Sequence, residues 1–126
     1  MSALVIFSVD VPRLAMFYEQ VLEATAVTES SGDVRLIAAP DEILIHSIPK
    51  KIAAGISIST PPVPRDTAAL KPVFEVQSLS STLQRVGENG GVVTDRTFRF
   101  EGLTRHDILD PDGNVIQLRS PTAEPA

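Results

Sequence analysis

Read from its N-terminus, the chain opens with an apolar run, Leu4 to Val9, and then changes period: Leu14, Phe17, Tyr18, Val21 and Leu22 recur at the spacing of one helix face. Pro12 suits the first turn of that helix, where a missing N–H leaves no bond unmade. After Thr25 the pattern shortens to extended stretches, Ala26 to Glu29, Val34 to Ala38 and Ile43 to Ile48, separated by Ser30-Ser31-Gly32-Asp33 and Pro40-Asp41. The order so far is β-α-β-β-β. Between Pro49 and Leu70, the prolines Pro61, Pro62 and Pro64 together with Gly55 prevent a continuous helix, so this stretch reads as a connector in which Ile56 to Thr60 could be extended.

The same order then begins again. Val73 to Val76 reads as a strand, Ser78 or Ser80 can cap a helix carrying Leu79, Leu83 and Val86, and Asn89-Gly90-Gly91 ends it. Val92-Val93-Thr94, a segment around Phe98 to Leu109, and Val115 to Leu118 supply further strands, with Asp110-Pro111-Asp112-Gly113-Asn114 as a tight turn. Val9-Asp10 overlays Val76-Gln77, and Pro40-Asp41 overlays Pro111-Asp112, which sets His46 against Gln117 as equivalent positions of an internal duplication. The expected architecture is α+β: residues 1–119 form one domain made of a first βαβββ module (3–48), a linker (49–69) and a second module (70–119), followed by a tail (120–126).

Composition narrows the chemistry. A chain of 126 residues with 43% apolar and 21% charged residues matches ordinary globular usage, and such a length buries roughly two thirds of its unfolded surface. With no cysteine, the chain forms no disulfide, thiolate metal site or cysteine nucleophile, a usage that fits the cytoplasm. No stretch approaches the roughly 20 apolar residues that span a bilayer, so no membrane partner is expected. A formal charge of -5 disfavours phosphate backbones and hence nucleic acid, and it suits a cationic guest. Without Trp, and with five Phe and one Tyr, there are few aromatic platforms for a large planar molecule.

Val9-Asp10 followed by Phe17-Tyr18 and Val21-Leu22, and Asp110-Pro111-Asp112-Gly113-Asn114 followed by Val115-Ile116-Gln117-Leu118, resemble the vicinal-oxygen-chelate superfamily over residues 4–119. That superfamily includes glyoxalase I, extradiol dioxygenases, fosfomycin-resistance enzymes and bleomycin-resistance proteins. The resemblance implies that each module curls into half of an open barrel and that the halves enclose a cavity, often across a homodimer interface.

It also implies a place for metal, since family enzymes put one ligand on the first strand and one on the last strand of each module. Aligned on Val9 and Val76, those positions fall on Leu4 (Ala3 with a one-residue slip), His46, Lys71 and Gln117. Leu4 offers no lone pair, and Gln117 offers only a weak amide oxygen. A protonated Lys71 roughly 5 Å from a dication would repel it by about 6 to 7 kcal/mol at an effective dielectric near 20. Only His46 is an ordinary ligand, so no cofactor is expected, and a divalent metal enters only as the alternative.

The remaining candidates each have a plain and a chemical reading. His46 is an imidazole tucked against the sheet or the polar handle of a ligand cavity. Gln117 is a solvent-facing strand residue or a neutral donor and acceptor inside the pocket. Lys71, restricted to extended backbone by Pro72, points into water or into the site. Alternation puts Phe98 and Phe100 on one face and Arg99 on the other, sets Arg105 with Asp107, and sets His106 with Thr104 and Ile108. Arg99 or Arg105 could clamp a carboxylate or phosphate, although strand arginines are more often solvated. His46 and His106 are the candidate bases, but His106 and its sequence neighbour Asp107 face opposite ways and make a poor dyad. Turn chemistry accounts for Asp110 to Asn114 without a calcium ion. No phosphate loop, nucleophile elbow or His-Glu-x-x-His motif occurs.

Three functions follow. The leading one is a metal-free, homodimeric protein that binds a small organic molecule between its modules. The second is an enzyme: a lactoylglutathione-lyase-like or dioxygenase-like member using metal, or a metal-free isomerase using His46 or His106. The third is a structural or regulatory dimer.

Overall fold

The computed structural model describes residues 2–65 and 69–122. Its contacts divide the chain into two compact units, residues 1–59 and 60–126. Among the described residues no helix is long and apolar enough to cross a membrane.

The first unit runs β1 (Ser2–Ser8), α1 (Val11–Val21), β2 (Thr25–Thr28), β3 (Val34–Ala38), β4 (Asp41–Ser47) and a short α2 (Lys50–Ala53). Asp10 starts α1 by accepting from the Arg13 amide at 3.2 Å, and Pro12 sits in the first turn as expected. The buried face of α1 carries Leu14, Phe17, Tyr18 and Val21, which recur at three- and four-residue steps and pack on one side of the sheet. The sheet order is β1-β4-β3-β2, with β1 parallel to β4 and the other pairs antiparallel.

The second unit repeats this plan as β5 (Val73–Glu75), α3 (Leu79–Glu88), β6 (Val92–Phe100), β7 (Leu103–Leu109) and β8 (Val115–Pro121), in the order β5-β8-β7-β6. Ser78 caps α3, and its most buried side chains are Thr82 and Val86, with Leu79 and Leu83 only half-buried. Phe74, Ile108, Ile116 and Leu118 form the core beneath it.

Several sequence expectations are corrected here. Phe98 to Leu109 is not one strand: Phe98 and Phe100 end the strand begun at Val92, and Glu101-Gly102 turns the chain back so that Phe100 pairs with Leu103. Both turn residues have positive φ, 52° and 76°, the backbone that a two-residue hairpin with the sheet's twist requires. Ile56 to Thr60, which could be extended, joins no sheet. Ser120 and Pro121 belong to β8 rather than to a tail, Ser120 being buried and bonded to the Gln77 carbonyl. Residues 66–68 of the expected linker and 123–126 of the expected tail lie outside the described residues.

The connector is also tied down. In the second unit the Arg65 amide donates to the Gly113 carbonyl at 3.2 Å, and Arg65 Nε donates to the Asp112 carbonyl at 3.1 Å. Asp110 closes the loop beneath by accepting from the amides of Asp112 and Asn114 and from the Asn114 side chain. These bonds are turn chemistry, with both carboxylate oxygens accepting from N–H groups.

Candidate functional site

Directly paired residues of neighbouring strands point to the same side of a sheet. In the first unit Leu4 pairs with buried Ile43 and therefore lies on the helix side. The open side presents Ala3, Val5 and Phe7 opposite Glu42, Leu44 and His46. Leu4 thus cannot share a site with His46, and Ala3, the alternative position, contributes only a methyl group.

His46 is held rather than loose. Its Nδ1 lies 2.6 Å from Asp33 Oδ2, and because a carboxylate only accepts, Nδ1 carries the hydrogen and Nε2 keeps its lone pair when the ring is neutral. Phe7 meets the imidazole edge-on at 5.3 Å. The same Asp33 accepts from the Ser47 amide, tying the β2–β3 loop to the end of β4. The hydrogen bond from His46 holds the Asp33 carboxyl below the usual carboxylate range, against an opposing effect of burial. Arg35 on this side is spent on Glu29 and Glu42, at 3.0 and 3.1 Å.

The second unit carries a denser polar arrangement on its open side. Asp107, fully buried, pairs with Gln117, which pairs with Val73. One Asp107 oxygen accepts from Lys71 Nζ at 2.8 Å and the other from Gln117 Nε2 at 3.1 Å. Gln117 Oε1 in turn accepts from Arg105 Nη1 at 3.2 Å, and Arg96 Nη1 lies 4.0 Å from Asp107. Lys71 Nζ also sits 5.9 Å from the Phe98 ring centroid, within cation–π range. Of the residues singled out separately from the sequence, Lys71 and Gln117 thus hold one carboxylate, while Phe98 meets Lys71 and Arg105 bonds to Gln117. Phe100 lies farther along the same strand and is exposed.

His106 and Arg99 stand apart. Arg99 pairs with Thr104 and His106 with Thr97, so both face away from the Asp107 group. His106 Nε2 lies 2.6 Å from the Thr94 carbonyl and must carry the hydrogen there, while Nδ1 lies 2.6 Å from the Thr97 hydroxyl. Both ring nitrogens are therefore committed, which suits a structural imidazole.

Strand pairing also corrects the equivalence of His46 with Gln117. Val5 precedes the helix cap Asp10 by as many residues as Val73 precedes the cap Ser78; Val5 pairs with Leu44 and Val73 with Gln117. Leu44 is therefore the counterpart of Gln117, and Arg119 that of His46. Overlaying Pro40-Asp41 on Pro111-Asp112 misled because the β3–β4 turn holds only Ala39 and Pro40, whereas the β7–β8 loop runs from Asp110 to Asn114.

The donor set does not fit an octahedral divalent ion. Among the described residues no three His, Asp, Glu or Cys side chains are grouped closely enough to hold one. At the best-furnished place the single carboxylate is already occupied by an ammonium.

Sequence reasoning passed over Asp107 as a hub, took Asp33 only as loop punctuation, and left Arg96 and Arg119 unmentioned. The alternation that joined Arg105 to Asp107 could have extended from Gln117 to Arg119, two residues on along the same strand.

No family model and no curated protein matches the chain. Solved structures do resemble it. A glyoxalase/bleomycin resistance protein/dioxygenase family enzyme from Burkholderia phytofirmans is 16% identical, with a TM-score of 0.72 over 94% of this chain and 96% of its own. A glyoxalase/bleomycin resistance protein from Albidiferax ferrireducens is 19% identical, with a TM-score of 0.69 over 95% and 97%. The genomically encoded fosfomycin resistance protein FosX of Listeria monocytogenes is 15% identical, with a TM-score of 0.70 over 97% and 93%. Likeness at this level of identity carries architecture alone, and the chain has the α+β glyoxalase/bleomycin-resistance fold, two βαβββ modules in tandem.

Proposed function

We propose that the chain is a metal-free binding protein for a small organic molecule, which rests on the open side of the second module against Lys71, Phe98, Arg105 and Gln117. The observation that carries this reading is the buried Asp107 with both oxygens engaged, by Lys71 and by Gln117. A carboxylate so occupied organises the donors around it, and neither of its oxygens is free of a donor. A dication would first have to displace the ammonium, against repulsion of several kcal/mol. The polar groups converge beside exposed aromatic surface, the combination that small-molecule sites use for orientation and affinity.

Fragment titration followed by amide shifts in ¹H–¹⁵N NMR spectra tests the site. Saturable shifts are expected at Lys71, Phe98, Arg105, Asp107 and Gln117. Hits that map only elsewhere, or none, would sink it. Elemental analysis of the purified protein tests the other half of the reading. A stoichiometric divalent metal lost together with Asp107 in Asp107→Asn would favour the lyase-like or dioxygenase-like enzyme instead.

A further inference from the structure

We propose that Arg105 and Arg119 together form a subsite for the oxyanion of that ligand, a carboxylate or phosphonate group whose apolar arm lies along Phe98. The inference rests on the reading of this face as a ligand site and names the class of molecule it takes.

Arg105 and Arg119 are direct cross-strand partners. Like charges in that relation repel, so the pairing costs stability unless something negative lies between them. Little among the described residues does. Arg105 has a neutral partner, the Gln117 amide oxygen, at 3.2 Å. Arg119 Nη2 reaches Glu75 at 2.8 Å, but the Glu75 side chain is 68% exposed, so that contact is a weak surface pair. The buried carboxylate nearby, Asp107, is claimed by Lys71.

Arg119 adds an independent sign. Its Nε is buried and has no hydrogen-bond acceptor among the described residues. A buried guanidinium N–H without an acceptor is costly, so the Arg119 side chain gains by turning toward an arriving oxyanion that supplies one. Guanidinium groups present their donors in a planar fork that matches carboxylate and phosphonate oxygens. On the other flank of Arg105, Phe98 is its direct cross-strand partner and is 45% exposed, so an apolar group attached to the anion has a surface to lie on.

The inference reverses an expectation from composition. The chain is acidic overall, at -5, which suggests a cationic guest. Net charge, however, is a sum over the whole surface, and on this face Lys71, Arg96, Arg105 and Arg119 gather. A cationic guest would meet the wrong sign.

Calorimetric titration of the full chain with benzoate, phenylphosphonate, benzamide and benzylammonium tests the idea. The two anions are expected to bind at least about tenfold more tightly than benzamide, benzylammonium more weakly still, and the two anions against each other separate carboxylate from phosphonate preference. Arg105→Gln and Arg119→Gln should each erase the anion advantage, whereas Lys50→Gln, the same loss of charge in α2 of the first unit, should leave it. Should a variant fail to fold, the Arg119 Nε–Hε resonance of the unaltered protein gives the answer, because it should shift on saturation with benzoate. Equal affinity for benzamide and benzoate, or an Arg119 resonance that stays put, overturns the oxyanion subsite while leaving the binding face standing. Silence from all four probes and from the fragment titration removes both.

Discussion

At the scale of single residues, the carboxylates of Asp33 and Asp107 do different work. Asp33 is tied to His46 and is held below the usual carboxylate range. A carboxyl whose folded value is lowered adds stability that is fully present above its ordinary value and is lost as pH falls through the lowered one. Replacing His46 with Ala should therefore reduce stability at neutral pH, and the gap from the parent protein should close only as Asp33 protonates in acid. Urea unfolding across an acid-to-neutral series checks this; a gap that stays constant to the lowest pH would show that the loss comes from packing against Phe7. Asp107 is instead a buried charge that needs its cation. Lys71→Met leaves it with Gln117 and a distant Arg96, and should cost about 1 to 3 kcal/mol. Adding Asp107→Leu to Lys71→Met should cost less than the sum of the single changes, since the first substitution already breaks the pair. Strict additivity in a double-mutant cycle would mean that Lys71 and Asp107 act separately.

At the scale of elements, glycine positions give the sharpest contrast. Gly102 and Gly113 both have positive φ, 76° and 84°. A Cβ on Gly102 meets open space, whereas one on Gly113 would run into the Val63 carbonyl. Gly102→Ala should cost about 1 kcal/mol from backbone conformation alone. Gly113→Ala should cost ~3 kcal/mol, and faster amide exchange at Arg65 should accompany it. Similar costs at the two positions would mean that the close approach of residue 63 is not kept in solution.

The same scale shows what the sequence could disclose. The first helix face was plain from period and start signal: Leu14, Phe17, Tyr18 and Val21 with Pro12 before them needed no partner to be recognised. Strand alternation also sorted Arg105 with Asp107 and His106 with Ile108. The Glu101-Gly102 turn escaped because Glu is an unusual choice for its positive-φ position, where Asn or Asp gives the signal. Register escaped because it depends on turn length, and the repeated Pro-Asp pairs stand at different places in turns of unequal length. The hub at Asp107 escaped because a buried acid in a strand looks like any other until Lys71, far away in sequence, is brought to it.

At the scale of the molecule, two copies of one supersecondary plan have been furnished differently. The open side of the first copy shows Val5, Phe7, Val27 and Ile37, all more than 40% exposed, and neutralises its arginine within the sheet. The open side of the second copy sets Lys71, Arg96, Arg105 and Arg119 against the carboxylates of Asp107 and Glu75. A bound anion should therefore stabilise the whole chain by mass action, by about 2.7 kcal/mol when benzoate stands at a hundred times its dissociation constant. The thermal midpoint should rise with benzoate, and the rise should shrink as salt approaches roughly 0.15 M and beyond, where screening shortens to about 8 Å. A salt-independent rise would point to the aromatic surface as the whole of the attraction.

The seat of residues 63–65 on the Asp110–Asn114 loop bears on how the molecule can be taken apart. Sequence punctuation suggests cutting just ahead of the strand at Val73, yet a piece begun there would strip off the Arg65 bonds and uncover backbone that native chains keep dry. Anyone transplanting the second half into another scaffold has to carry the stretch from Thr60 onward with it.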